Sequence, residues 1–222
     1  RPILDQMKWF IIDEMHSLVP TKRGTHLSLS MALMDSVVSS DVQRIGISAT
    51  MEPLDAVAEF LVASDSRESD VDPQKVAIAK ISGDRELDLD IILPTPRFSS
   101  IPVKEILDHN VDRIKELAEA HTTTLVFVNT RNMTETVVQR LKIAGMEGVE
   151  GHHGSMDKTI RLDVEQRLKE GRLRCVVSSS SLEMGIDIGS VDLVVQVGSP
   201  GSIATALQRI GRAGHQVGGL PR

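Results

Sequence analysis

Leu125-Val126-Phe127-Val128-Asn129-Thr130-Arg131 is an apolar run of strand length that stops on three polar residues. A helix-period segment follows over residues 133–144, and Gly145 closes it. Strand, polar turn and helix in that order make half of a parallel βαβ unit. The same grammar repeats outward in both directions. Downstream, a helix over residues 158–169 ends near Gly171, a strand covers 173–177, another covers 193–197, and a helix covers 203–210. Upstream, a helix over residues 103–121 follows a loop punctuated by Pro94, Pro96 and Pro102. Earlier still, residues 7–12 read as a fully buried strand. Residues 24–38 read as a helix with Leu27, Met31, Met34 and Val38 on one stripe, in which the methionines are core. A strand at 43–48 and a helix at 54–62 come next, then a polar loop at 63–70. Two further strands are expected at 76–81 and 87–93, separated by Ser82-Gly83-Asp84. The pattern predicts two α/β parallel-sheet domains, residues 1–84 and 85–222, the first lacking its N-terminal part and the second its last strand.

Composition narrows the function classes. Apolar residues are 41% and charged residues 25%, the balance of a globular protein. The net charge of −6 excludes a sequence-blind basic coat for nucleic acid. With 2% aromatics and no tyrosine, extensive base stacking is excluded too. Any nucleic acid is expected to be held by its backbone, through amides, hydroxyls and a few basic groups. The lone cysteine, Cys175, excludes an internal disulfide, sits in a strand and is expected to be inert. An intracellular, cytoplasmic setting is expected. No apolar run approaches the roughly 18 residues a membrane span needs.

Ligands of open parallel sheets bind beyond the carboxyl ends of the strands. Asp13-Glu14-Met15-His16 stands there, directly after Trp9-Phe10-Ile11-Ile12. Asp13 suits a hydrated Mg²⁺, and Glu14 suits the orientation of an attacking water. Ser48-Ala49-Thr50 ends the next strand and offers two hydroxyls beside that acidic pair. Asn129 and Thr130 suit a phosphate of a nucleic-acid backbone, although for the tripeptide alone an ordinary N-cap is the favoured reading. In Ser178-Ser179-Ser180-Ser181-Leu182-Glu183, Ser180 and Glu183 fit a capping box, and the hydroxyls fit an anion seat. Gly185 allows close backbone approach, and Asp187 can accept from a ribose hydroxyl. Gln208-Arg209-Ile210-Gly211-Arg212-Ala213-Gly214-His215 places a guanidinium at a glycine-flanked helix end, where it can reach a phosphate. Such an arginine finger typically contributes about 10³ to 10⁵ in rate, and a surface arginine near a helix C-terminus is the plainer reading. His152 and His153 lack the cysteine or carboxylate spacing of a zinc site.

In order, these motifs resemble motifs II to VI of the superfamily 2 helicases, with a DEAH-like box at Asp13. Lys22-Arg23-Gly24, His152-His153-Gly154-Ser155 and Val195-Gln196-Val197-Gly198-Ser199-Pro200 are similar to the Lhr (large helicase-related) group. The resemblance implies two RecA-like domains that use ATP and Mg²⁺ to move along one strand, DNA favoured, 3′-to-5′, in DNA repair. It implies Glu14 and Arg212 as catalytic residues, and Asp13 as the Mg²⁺ acid acting through water. It implies Asp13, His16, Ser48, Thr50, Gly185, Asp187 and Gln208 on the nucleotide side, and Asn129, Thr130 and Ser180 on the nucleic acid. An RNA helicase of the same superfamily and a non-hydrolysing binding module stay open as alternatives. His215 departs from members that carry a second arginine there. No Gly-x-x-x-x-Gly-Lys-Ser/Thr loop occurs in the chain, so such a loop is expected upstream of Arg1 and the fragment alone is expected to hydrolyse little ATP.

Overall fold

The computed structural model describes residues 4–38, 42–48, 53–62, 76–80, 87–93, 95, 102–183, 188–189 and 191–213. The chain divides into two compact units, Arg1–Gly83 and Asp84–Arg222.

In the first unit, β1 (Trp9–Ile12) leads into the short α1 (Met15–Leu18) and then α2 (Lys22–Asp35), β2 (Gln43–Gly46) and α3 (Leu54–Val62). The two strands run parallel, with Trp9 opposite Gln43 and Ile12 opposite Gly46. Their core is Ile12, Met15 and Met31, flanked by Phe10, Leu27, Phe60 and Leu61. The expectation that β1 is buried on both faces is corrected here. Alternation sends Phe10 and Ile12 toward this core, whereas Trp9 and Ile11 are each 60% exposed. Thr21 starts α2 by accepting the Gly24 amide, 3.3 Å from its Oγ1. Gly24 itself must be small, since a β-carbon there would stand 2.2 Å from the Leu18 carbonyl oxygen.

In the second unit the order is α4 (Val103–Glu119), β3 (Thr124–Phe127), α5 (Arg131–Ile143), β4 (Val149–His152), α6 (Lys158–Lys169), β5 (Cys175–Ser178), β6 (Leu193–Gln196) and α7 (Ile203–Ile210). Four parallel strands stand in the order β4-β5-β3-β6. All four residues of β3 and of β5 are buried, as expected for central strands covered on both faces. Val126, Val128 and Val177 pack with Val111 and Ile114 of α4 and Val137 and Leu141 of α5. On the other face Leu125, Phe127 and Val176 pack with Val164 and Leu168 of α6 and with Leu182 and Val191. Cys175 lies in the core, and burial pushes its thiol up to about 12, in line with an inert residue. Helix α5 ends on Gly145 at φ +80°, a left-handed C-cap that no β-carbon crowds.

Two expectations fail. Residues 76–80 and 87–93 form no strand, and Leu89, Ile91 and Leu93 are 66%, 88% and 70% exposed. Apolar composition cannot make a strand without a partner edge, and no described strand offers one. Conversely, β4 forms from Val149-Glu150-Gly151-His152, a sequence without a strand signature because three of its four residues are polar or glycine.

Candidate nucleotide and nucleic-acid site

The first unit gathers four of the expected residues at the carboxyl end of β1 and β2. The Ile47 amide donates to the Ile12 carbonyl at 2.8 Å, and the Met15 amide donates to the Ile47 carbonyl at 3.1 Å, so the two strand exits are sewn together. Between these stitches the chain turns sharply. Glu14 adopts φ 54°, ψ 43°, the one left-handed residue other than glycine among those described. Such a conformation costs about 1–3 kcal/mol and persists only where its surroundings fix it. Met15, 1% exposed, anchors it from one side, and Ser17 Oγ donates to the Glu14 carbonyl at 2.8 Å from the other. The turn directs Asp13 outward, where Oδ1 accepts the Glu14 amide at 2.8 Å. Glu14 Oε2 lies 3.3 Å from Nε2 of His16, whose side chain is nearly enclosed. On the other edge of that imidazole, Nδ1 is 3.1 Å from Ser48 Oγ, and the same hydroxyl accepts the His16 amide at 3.2 Å. Glu14, His16 and Ser48 therefore form one connected line from β1 to β2. Thr50 lies outside the described residues.

In the second unit the register puts Phe127 opposite both Ser178 and Gln196, so the exits of β5, β3 and β6 share one rim. Asn129 is exposed and its Nδ2 donates to the Ser199 carbonyl at 3.0 Å, joining the exits of β3 and β6. Thr130 caps α5, accepting the Met133 amide at 3.1 Å, and is exposed. Ser180 is exposed on the turn that follows β5, and β5 is the neighbour of β3. These three expected nucleic-acid residues therefore share the rim. Gly185, Asp187 and His215 lie outside the described residues.

No capping box is seen at Ser180 and Glu183, since the described residues 181–183 are not helical. The Glu183 carboxylate is instead taken by Arg209 of α7, whose Nε donates to Oε1 at 2.8 Å and whose second terminal nitrogen bonds the same oxygen. The other terminal nitrogen donates to Gln196 Oε1 at 2.5 Å, and the guanidinium lies 4.9 Å from the centre of the Phe127 ring. Arg209 was given no role from sequence, yet it is 6% exposed and ties α7 to β6 and to the turn after β5. A signal existed: it is the only charged residue in Ile203-Ala204-Thr205-Ala206-Leu207-Gln208-Arg209-Ile210. Gln208 is half-buried beside it. Arg212 follows one turn later, its amide donating to the Arg209 carbonyl at 3.0 Å. The position of Arg212 thus depends on the anchoring of Arg209.

His152, at the end of β4, and His153 after it each meet a carboxylate through Nε2. His152 Nε2 is 2.9 Å from Glu165 Oε1, and His153 Nε2 is 2.7 Å from Glu135 Oε1. Burial holds His152 below the usual imidazole range, the Glu165 contact only partly opposing it.

Comparison with known proteins places the chain. Residues 105–216 match the family model of the helicase conserved C-terminal domain. The ATP-dependent helicase Lhr-Core of Methanocaldococcus jannaschii is 44% identical over 215 residues, covering 97% of this chain and 24% of that protein. The Lhr helicase/uracil glycosylase of Escherichia coli is 35% identical over 268 residues, covering 100% of this chain and 17% of that protein. The structure of Mycobacterium smegmatis helicase Lhr bound to ssDNA and AMP-PNP has a TM-score of 0.84 at 40% identity, covering 98% of this chain and 28% of the other. The chain thus spans about a quarter or less of the length of these curated relatives.

Proposed function

Since the chain belongs to the helicase conserved C-terminal domain family, we propose that it is the part of an ATP-dependent, Lhr-type motor that holds the water-activating and arginine-finger groups and a backbone grip on nucleic acid. Residues 1–84 would be the later part of a first RecA-like domain, and residues 85–222 a second one. The observation that carries the reading is the line Glu14–His16–Ser48, which couples a carboxylate at one strand end to a hydroxyl at the next.

In this reading Asp13 holds Mg²⁺ through water. A single exposed carboxylate fits that ion, which keeps most of its own waters. When bound, the ion would supply positive charge that neutralises charge developing on the phosphates. Glu14 orients the attacking water and takes up its proton on the carboxylate. His16 holds Glu14 from Nε2 and is itself held by Ser48, so hydroxyl and base move as one. Thr50, Gly185, Asp187 and Gln208 complete the nucleotide contacts, and Arg212 offers positive charge to the γ-phosphate. Asn129, Thr130 and Ser180 take the backbone of a single strand, DNA favoured because the similar Mycobacterium smegmatis structure contains ssDNA. Movement 3′-to-5′, a part in DNA repair and a cytoplasmic site belong to the same proposal.

The test is ATP hydrolysis by the full-length parent with and without single-stranded DNA. Stimulation by DNA that Glu14→Gln abolishes is the expected result. Hydrolysis indifferent to nucleic acid would overturn the motor reading. Competition between matched DNA and RNA strands decides the sugar.

A further inference from the structure

The buried imidazole of His152 has no place in the chemistry above, and it cannot touch a ligand, since its side chain is 1% exposed. Every polar atom it has is already engaged within the unit. Nδ1 is 2.6 Å from Ser181 Oγ, Nε2 is 2.9 Å from Glu165 Oε1 on α6, and its carbonyl oxygen accepts from Ser181 Oγ at 3.1 Å. Ser178 Oγ stands 3.3 Å from the same hydroxyl. Ser181 is thus held from β4 at two points, and it directly follows Ser180.

We propose that His152 is a positioning residue for nucleic-acid binding, which fixes the turn after β5 through Ser181 and so fixes where Ser180 stands on the rim. The inference rests on the proposed role of Ser180. The direction of control follows from burial. His152 is anchored to the sheet through β4 and to α6 through Glu165, whereas the turn it holds forms no regular element. The turn is also held at Leu182, in the core, and at Glu183, by Arg209, so the His152 contact at Ser181 is the hold next to Ser180. The neighbouring His153 contributes less, because its partner Glu135 is 62% exposed and water competes for that carboxylate. His153 Nδ1 is used locally as well, accepting the Ser155 amide at 3.3 Å.

Conservative variants separate positioning from packing. Asparagine keeps a polar atom near the place of Nδ1 and can still hold Ser181. Glutamine reaches toward Glu165 but lets Ser181 go. In the full-length parent, Ser181→Ala and His152→Gln are expected to raise the DNA concentration for half-maximal ATPase stimulation about tenfold, as for a lost hydrogen bond. The rate at saturating DNA is expected to stay within about twofold. His152→Asn is expected to stay near wild type. Equal losses in Asn and Gln variants, or wild-type DNA response in Ser181→Ala, would overturn the proposal. If the wild-type parent shows no stimulation by DNA, the function proposed above fails, and the brace is read separately by hydrogen exchange. Faster exchange at residues 179–183 in Ser181→Ala then upholds it, and unchanged exchange overturns it.

Discussion

Arg209 and Glu183 form a buried ion pair that joins α7 to the turn after β5, with Nε to Oε1 at 2.8 Å and side chains 7% and 16% exposed. Burying two charges costs desolvation energy that is recovered only by close geometry and complete hydrogen bonding, and the Gln196 contact helps to complete it.

Removing one partner leaves the other charge stranded. Glu183→Ala and Arg209→Ala are each expected to destabilise the second unit by about 3–5 kcal/mol. Replacing both by apolar residues of similar volume is expected to cost far less. Denaturant unfolding of the two single variants and the double variant checks the difference. Because Arg212 stands one turn beyond Arg209, a variant that remains folded is also expected to lose ATP turnover in the full-length parent.

The left-handed turn at Glu14 predicts a separation of stability from activity. Glu14→Gly relieves a conformation that glycine adopts freely, and the first unit is expected to gain about 1 kcal/mol. Turnover by the parent is expected to fall about 10²-fold to 10⁴-fold, the share of a general base. Thermal unfolding and an ATPase assay on the same variant test both signs. Loss of stability in Glu14→Gly would mean that the turn is not strained.

His152 predicts a pH dependence. Its folded-state pKa lies below the ordinary value of 6.5, chiefly through burial. Between those two values the unfolded chain binds more protons, so stability rises with pH. The contribution is complete above about pH 6.5 and is lost as pH falls toward the folded value. Subtracting the stability profile of His152→Asn from that of the wild type isolates this residue from the other histidines. A flat difference across the window would refute the sign.

Two glycines of the first unit predict unequal costs. A β-carbon at Gly24 would meet the Leu18 carbonyl oxygen at 2.2 Å, and one at Gly46 would meet Met15 Sδ at 2.1 Å. The first obstacle is backbone, and the second is a flexible side chain. Gly24→Ala is therefore expected to destabilise by about 1–3 kcal/mol despite its gain in helix propensity. Gly46→Ala is expected to cost less, because the methionine can turn away. Paired thermal melts decide the order.

The strand exits were legible because each is an apolar run cut short by polar groups, a local property. Asp13, Glu14, His16 and Ser48 are expected at such exits and stand there, as do Asn129, Thr130 and Ser180. What escaped depends on contacts between distant segments. Glu183 satisfied the local rule for a capping box, but Arg209, 26 residues on, took its carboxylate. In β4, Glu150 accepts from Lys142 and Arg167, and Gly151 makes room for Thr134 and Val138, so the strand lacks an apolar signature. Residues 87–93 failed in the opposite sense, being apolar enough for a strand but without an edge to join.

Trp9 is the only tryptophan in the chain, which also has no tyrosine. Its indole, 60% exposed on the uncovered face of β1, is four residues from Asp13. Excitation at the red edge of protein absorbance therefore lights one ring, in the first unit alone. Its emission maximum is expected to be that of an indole in water. A blue shift would register any surface that comes to cover β1, and loss of fluorescence anisotropy would time the melting of that unit while the second stayed optically silent.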